Sequence, residues 1–212
     1  MSPRDGTAAP RAVLAIDTAT SAGAVALLAG KRDLRRPIEW RASFRAVAPA
    51  VTGLLAEAGI GLAELEAIAI PAGPGSFTGL RVGAALALGL CRLSGPSLHL
   101  VPTLAAVAEA FAAPGARRVA ASLDARRGRR YAAVYERAAP GVWELVRGPL
   151  DGTPEELARL GEDAPPAAPE GRPSDGAIAA ALARIAAADP RTALASPGEL
   201  RLVYARPAVD PP

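Results

Sequence analysis

The chain has 212 residues, half of them hydrophobic, a formal charge of +3 and a single cysteine, Cys91. That composition can fill a real core, as one large domain or two small ones, and it excludes a disordered chain and an internal disulfide. The pI of about 9.6 rests almost wholly on arginine, because Lys31 is the lone lysine, and a net charge this small does not by itself indicate RNA contact.

In chain order, the first residues, Met1 to Gly6, lack the apolar stretch of a secretory signal, so the expected compartment is the cytoplasm. Val13 to Asp17 and Ala24 to Ala29 read as strands joined by a turn at Thr18 to Gly23, and Ile38 to Ala42 reads as a third strand. From Phe44 to Ala58 the spacing of Val47, Val51, Leu54, Leu55 and Ala58 is helical, with Pro49 inside and Gly59 as the stop. A strand at Glu66 to Pro71 leads into the glycine-rich turn Gly73-Pro-Gly-Ser-Phe-Thr-Gly79, and a helix is predicted from Phe77 to Leu93. Its apolar core, Val82 to Leu93, is interrupted by Gly83, Gly89 and Arg92 and is too short to cross a bilayer, so no membrane partner is expected.

The second half repeats the pattern more weakly. Leu98 to Val101 reads as a strand and Thr103 as the N-cap of a helix to Ala112. Val119 to Leu123, Tyr131 to Tyr135 and Val142 to Val146 read as strands, the first two joined around Asp124-Ala-Arg-Arg-Gly128. A Pro- and Gly-rich stretch from Gly152 to Arg172 carries one short helix near Pro154 to Leu160. Asp175 to Ala187 reads as a helix, and Leu202 to Pro207 as an extended close. The expected plan is two lobes, residues 1–100 and 101–212, with a return of the last segment to the first lobe as an option.

Counting residues removes most catalytic chemistries. The glycine turn lacks the lysine of a phosphate-binding P-loop, and its Ser76 does not sit in a Gly-x-Ser-x-Gly elbow. His99 is the single histidine, which argues against a serine triad and against a histidine-based zinc or iron site. Asp17 and Asp124, each after a strand, are placed as a magnesium-positioning pair would be, but aspartates also cap turns in this way. The stretch after Leu150 offers no glycine-rich adenosine segment. No catalytic, cofactor-binding or metal-ligating residue is therefore assigned.

The helix after the turn is more informative. Leu80, Ala84, Leu88 and Cys91 form one apolar stripe, and Gly79, Val82, Gly83, Leu86, Leu90 and Leu93 form a second, with Arg81 and Arg92 on a narrow polar arc. Three glycines cost the helix roughly 3 kcal/mol relative to alanine, and close approach of another helix is a usual compensation. The preceding helix carries a small-residue face of Ala46, Ala50 and Gly53. The expected partner surface is thus Ala46, Ala50, Gly53, Gly79, Val82, Gly83, Leu86 and Leu90, against the alternative that both helices are covered within the chain.

Leu14-Ala-Ile-Asp-Thr-Ala-Thr20, the glycine turn running on to Gly83, Leu123-Asp-Ala-Arg-Arg-Gly128 with Tyr131, and the closing Val203-Tyr-Ala-Arg206 together resemble the TsaB (YeaZ) family. The match is good over residues 11–136 and poor beyond. The resemblance implies an α/β actin-like ATPase (ASKHA, ribonuclease H-like) fold of two lobes, the second degenerate. It also implies a non-catalytic subunit in making threonylcarbamoyladenosine beside the tRNA anticodon. The implied partners are the catalytic paralogue TsaD, bound through a bundle of the two N-lobe helices, the ATPase TsaE, and tRNA indirectly. Monomer and homodimer both stay open for the isolated chain, since a surface made for a paralogous partner can pair with itself. The family often has a histidine where this chain has Ser43 or Phe44, and Leu202 and Ala205 replace a proline and a leucine of its closing motif. The competing reading is a stand-alone ASKHA-type enzyme, either a small-molecule kinase or a glycoprotease-like hydrolase.

Overall fold

The computed structural model describes residues 12–38, 43–168 and 175–204. Its first half contains β1 (Ala12–Asp17), β2 (Ala24–Ala29), β3 (Arg32–Pro37), α1 (Ser43–Ala58), β4 (Leu65–Gly73), α2 (Phe77–Ser94), β5 (Ser97–Pro102) and α3 (Thr103–Phe111). The five strands form one mixed sheet in the order β3-β2-β1-β4-β5. The β1–β2 and β2–β3 pairs are antiparallel, and β4 runs parallel to both β1 and β5. β1 is buried along its whole length, as a strand covered on both faces must be, and its sequence is accordingly an unbroken apolar run ending in Asp17.

The third strand occupies Arg32–Pro37, not Ile38 to Ala42 as the sequence suggested. Ile38 follows the strand, and residues 39–42 lie outside the described part of the chain. β3 escaped notice because it is a solvent-facing edge, and edge strands carry charges where a core strand carries apolar residues. Its arginines hold the neighbouring helix: Arg32 donates to the last carbonyls of α1 at Glu57 and Ala58, 2.9 and 3.0 Å away, and Arg36 pairs with the Glu57 carboxylate at 3.1 Å. Cations at a helix C-terminus satisfy its unpaired carbonyls and its dipole.

The second half contains β6 (Arg118–Arg126), β7 (Arg129–Ala139), β8 (Val142–Gly152), α4 (Pro154–Leu157), β9 (Pro166–Ala167) and α5 (Ala177–Ala188). Its sheet has the order β8-β7-β6-β9, with β6, β7 and β8 a meander considerably longer than their apolar centres. α5, late in the chain, packs on β1, β2 and β4 of the first sheet and meets α3, which lies against β6, β7 and β8. These two helices thus form the layer between the sheets. One hydrophobic core, with Leu104, Val119, Ile178 and Leu182, surrounds that layer, and a second, with Leu14, Ile16, Val47, Leu54 and Ile68, lies between the first sheet and α1 and α2.

Thr103 opens α3 as its first residue and Pro102 is the cap position; the Thr103 hydroxyl accepts a hydrogen bond from Gly73 N–H at 3.1 Å. The closing motif is described as far as Tyr204, and its Ala205 and Arg206 lie outside the described residues.

Candidate functional site

The glycine-rich turn connects the C-terminal end of β4 to α2, and Ser76 caps that helix by accepting from Gly79 N–H at 3.3 Å. The turn lies on the segment that follows β1: Ser76 N–H donates to the Ala19 carbonyl at 2.8 Å, and the Thr18 hydroxyl donates to the Gly79 carbonyl at 2.6 Å. At Gly79 a Cβ would strike the Thr18 carbonyl, and at Gly83 it would lie 2.7 Å from Thr18 Oγ1. Both glycines therefore serve contact inside the chain, where the helix backbone rests on the β1 turn.

Asp17, at the end of β1, is completely buried. Its carboxylate accepts from the backbone N–H groups of Ala19 and Thr20, both at 3.0 Å, and from the Thr20 hydroxyl. Burial raises its pKa above the ordinary aspartate value, and the bonds from Thr20 and Ala19 offset part of that rise. Asp124 accepts from Arg126 N–H at 2.7 Å, securing a hairpin whose Arg126 and Arg127 hold left-handed φ of 67° and 53°. Each such residue costs about 1–2 kcal/mol, a cost the Asp124 bond and the following Gly128 help to offset. Both aspartates thus stabilise turns. Between the hairpin and the glycine turn lies a small cleft of about 110 Å³, lined among others by Thr20, Ser21, Ser76, Asp124, Arg126 and Tyr131.

The outer faces of α1 and α2 are a different kind of surface. α2 runs 18 residues from Phe77, beginning five positions before the apolar stretch singled out in the sequence. By length and composition it could cross a membrane, contrary to expectation, yet only 22% of it is buried. Its sheet side presents Leu80, Gly83, Ala84 and Ala87. Its outer side presents Thr78, Arg81, Ala85 and Gly89, all exposed, with Leu93 79% exposed near its end. A Cβ at Gly89 would meet nothing within 4 Å. On α1, Ala48, Thr52 and Ala56 recur every four residues on the exposed side.

Of the residues expected to form the partner surface, Val82, Leu86 and Leu90 are half-buried along α2, and Ala46 is half-buried on α1. Ala50 is buried in the second core, and Gly53 lies under the Arg36 guanidinium. Gly79 and Gly83 turn inward, as described above. The small outward residues Ala48, Thr52, Ala56, Ala85 and Gly89 escaped the sequence reading. Arg81 and Arg92 mark the solvent side of α2, and residues 85 and 89, one and two turns beyond Arg81, share it.

His99, on β5, is 6% exposed. Its Nδ1 lies 2.8 Å from Thr192 Oγ1 and its Nε2 3.1 Å from Ser97 Oγ. The Thr192 hydroxyl donates to the Asp189 carbonyl at 2.8 Å and the Ser97 hydroxyl to the Glu66 carbonyl at 3.0 Å, so each hydroxyl oxygen is left to accept from the ring nitrogen it faces. Burial lowers the pKa of His99, with Asp189 opposing.

Comparison with known proteins gives a consistent answer. Residues 39–168 match the family model of tRNA N6-adenosine threonylcarbamoyltransferase (TsaD). The tRNA threonylcarbamoyladenosine biosynthesis protein TsaB of Escherichia coli K12 is 39% identical over 133 residues, 62% of this chain and 58% of that protein. TsaB of Haemophilus influenzae is 41% identical over 118 residues, 54% of this chain and 49% of that protein. The aligned part thus spans about half the length of these curated relatives. The structure of YeaZ from Pseudomonas aeruginosa superposes with a TM-score of 0.73 at 27% identity, over 92% of this chain and 99% of that one. A second solved structure, described by its similarity to the peptidase YeaZ of that organism, gives 0.74 at 28% identity over 92% and 100%. With its two-sheet α/β architecture of actin-like (ASKHA) type, the chain belongs to the TsaD-type threonylcarbamoyltransferase family, in its TsaB (YeaZ) branch.

Proposed function

We propose that this chain is a non-catalytic subunit in the biosynthesis of threonylcarbamoyladenosine on tRNA, and that it acts by binding and activating a TsaD-type catalytic paralogue. The observation that carries the reading is the outward side of α2, where the small residues Ala85 and Gly89 lie between Arg81 and Arg92 and the exposed Leu93 follows, together with the small exposed residues Ala48, Thr52 and Ala56 of α1. A helix face that combines small residues and an exposed leucine with flanking arginines suits a surface that meets another protein. Small residues such as Ala85 and Gly89 let a second helix pair approach closely, giving a bundle with the partner. The engagement of the Asp17 carboxylate by its own turn, and of Asp124 by the hairpin backbone, supports a role without metal-dependent catalysis. On this reading the complex also recruits the ATPase TsaE, meets tRNA through its other subunits, and works in the cytoplasm. A protein with such a face also pairs with itself when no partner is present.

The test is co-purification with a tagged TsaD from the same source. Wild-type chain is expected in the eluate and Gly89→Leu is expected to be lost from it, at a thermal stability no lower than wild type. Tight magnesium-dependent ATP binding or turnover by the purified chain alone would instead establish it as an enzyme and overturn the proposal.

A further inference from the structure

The closing motif Val203-Tyr204 is the one sequence feature that neither the fold nor the partner face has accounted for. After α5 the chain runs along the open edge of β5. Leu194 N–H donates to the Leu98 carbonyl at 2.8 Å, and Ala193 bridges His99 in antiparallel fashion. Leu194, Leu200 and Leu202 pack on the second core. The segment then reaches the glycine turn, where Val203 N–H donates to the Ala72 carbonyl at 2.7 Å.

Gly73, at the end of β4, holds a φ of +109°, and a Cβ there would run into the Val203 carbonyl. The glycine that opens the turn and the valine of the closing motif are thus fitted to one another. Tyr204 continues the contact: its ring lies 5.0 Å from that of Phe77 at an angle of 44°, and the Arg81 guanidinium lies 3.9 Å above the other ring centroid. Arg81, Phe77 and Tyr204 form a stack across the first turn of α2. Phe77 and Tyr204 are each 40% exposed and Val203 is 44% exposed, so the stack stands at the end of the uncovered helix face.

We propose that the closing segment, residues 189–204, positions the first turn of α2, so that the partner-binding face is complete only when this segment is docked. Its partner arm rests on the functional reading above; its structural arm does not. The segment meets the helix itself through the Tyr204–Phe77 ring contact, is tied to the end of β4 beside it by the Val203–Ala72 backbone hydrogen bond, and is held at its other end by Leu194 on Leu98 and by Thr192 on His99. Releasing Tyr204 therefore loosens the Phe77 end of α2, which the Thr18 and Ala19 hydrogen bonds still seat on the β1 turn, and leaves the sheet undisturbed.

The experiment uses the full chain carrying Tyr204→Ala, an exposed position that the fold tolerates, with Gly73→Ala as a second variant that displaces Val203. Hydrogen exchange is followed at residues 77–81, with β1 and α5 as internal references, and affinity for tagged TsaD is measured in parallel. Both variants are expected to speed exchange at residues 77–81 about tenfold with the references unchanged, as for a local opening. Affinity for TsaD is expected to fall about tenfold, as for loss of an aromatic anchor. Unchanged exchange at residues 77–81 overturns the inference, and so does faster exchange with unaltered TsaD affinity. Failure of the wild-type chain to bind TsaD sinks the functional reading and the partner arm, while the exchange data still decide whether the segment positions the helix.

Discussion

α2 and α5 are made of nearly the same material and meet different fates. α5 is alanine-rich with Arg184 as its one charged residue, and Ile178, Ala179, Ala180, Ala181, Leu182, Ala183, Ile185 and Ala186 are all buried, because the first sheet covers one side and α3 the other. α2 is apolar over much of its circumference too, but the sheet covers one side, and among the described residues Thr78, Arg81, Ala85, Gly89 and Arg92 on the other stay exposed. A helix without a polar stripe needs cover on two sides. The inner helix finds both covers within the chain, and the outer helix has found one.

The sharpest test of that contrast lies in the inner layer. Leu182→Ala, at a fully buried position of α5, should cost about 2–5 kcal/mol in denaturant unfolding. A loss below about 1 kcal/mol there would mean that α5 is not the packed centre described. Next comes Gly83→Leu, where the added bulk meets Thr18 inside the molecule. It should lower stability by roughly 1–3 kcal/mol through overpacking, and a variant as stable as wild type would place Gly83 on the outer face instead. Gly89→Leu, on the same helix but facing open space, should by contrast raise stability by a few tenths of a kcal/mol to about 1 kcal/mol, since glycine is a poor helix former. The two glycine variants separate the covered side of α2 from the bare one with a single thermal melt each.

The smallest expected effect concerns pH. Burial lowers the pKa of His99 in the folded chain below its ordinary value of 6.5. The unfolded chain then binds its proton more readily, so the histidine's contribution is fully present above pH 6.5 and declines as the pH falls through and below it. Stability measured from pH 8 to pH 5 should fall more in wild type than in His99→Gln. Parallel curves would mean that the imidazole titrates as it does in the unfolded chain.

The same contrast explains what could be read from the sequence. β1 and β4 were legible because strands covered on both faces must be continuous apolar runs. β3 was not, since Arg32, Asp33, Arg35 and Arg36 make an exposed edge look like a loop. On α2 the helix itself was plain, but its orientation was not: with so few polar residues, Gly79 and Gly83 could be assigned to either side. What turns them inward is Thr18, sixty residues earlier in the chain, and contact at that separation leaves no periodic trace. The two arginines held the missing information, for Arg81 and Arg92 lie on the side that faces water. The closing segment was the least legible part, because its place beside β5 depends on single hydrogen bonds and on the shape of one glycine.

The edges of the first sheet carry a further consequence. Unpaired strand edges invite identical chains to add on, strand by strand, into aggregates or fibres. Here the β3 edge presents charged side chains, and the β5 edge is met at its middle by Leu194 and Ala193. Growth through backbone pairing is discouraged at both ends of the sheet. Contact with another chain through the helices, as proposed above, would therefore not compete with strand-by-strand growth.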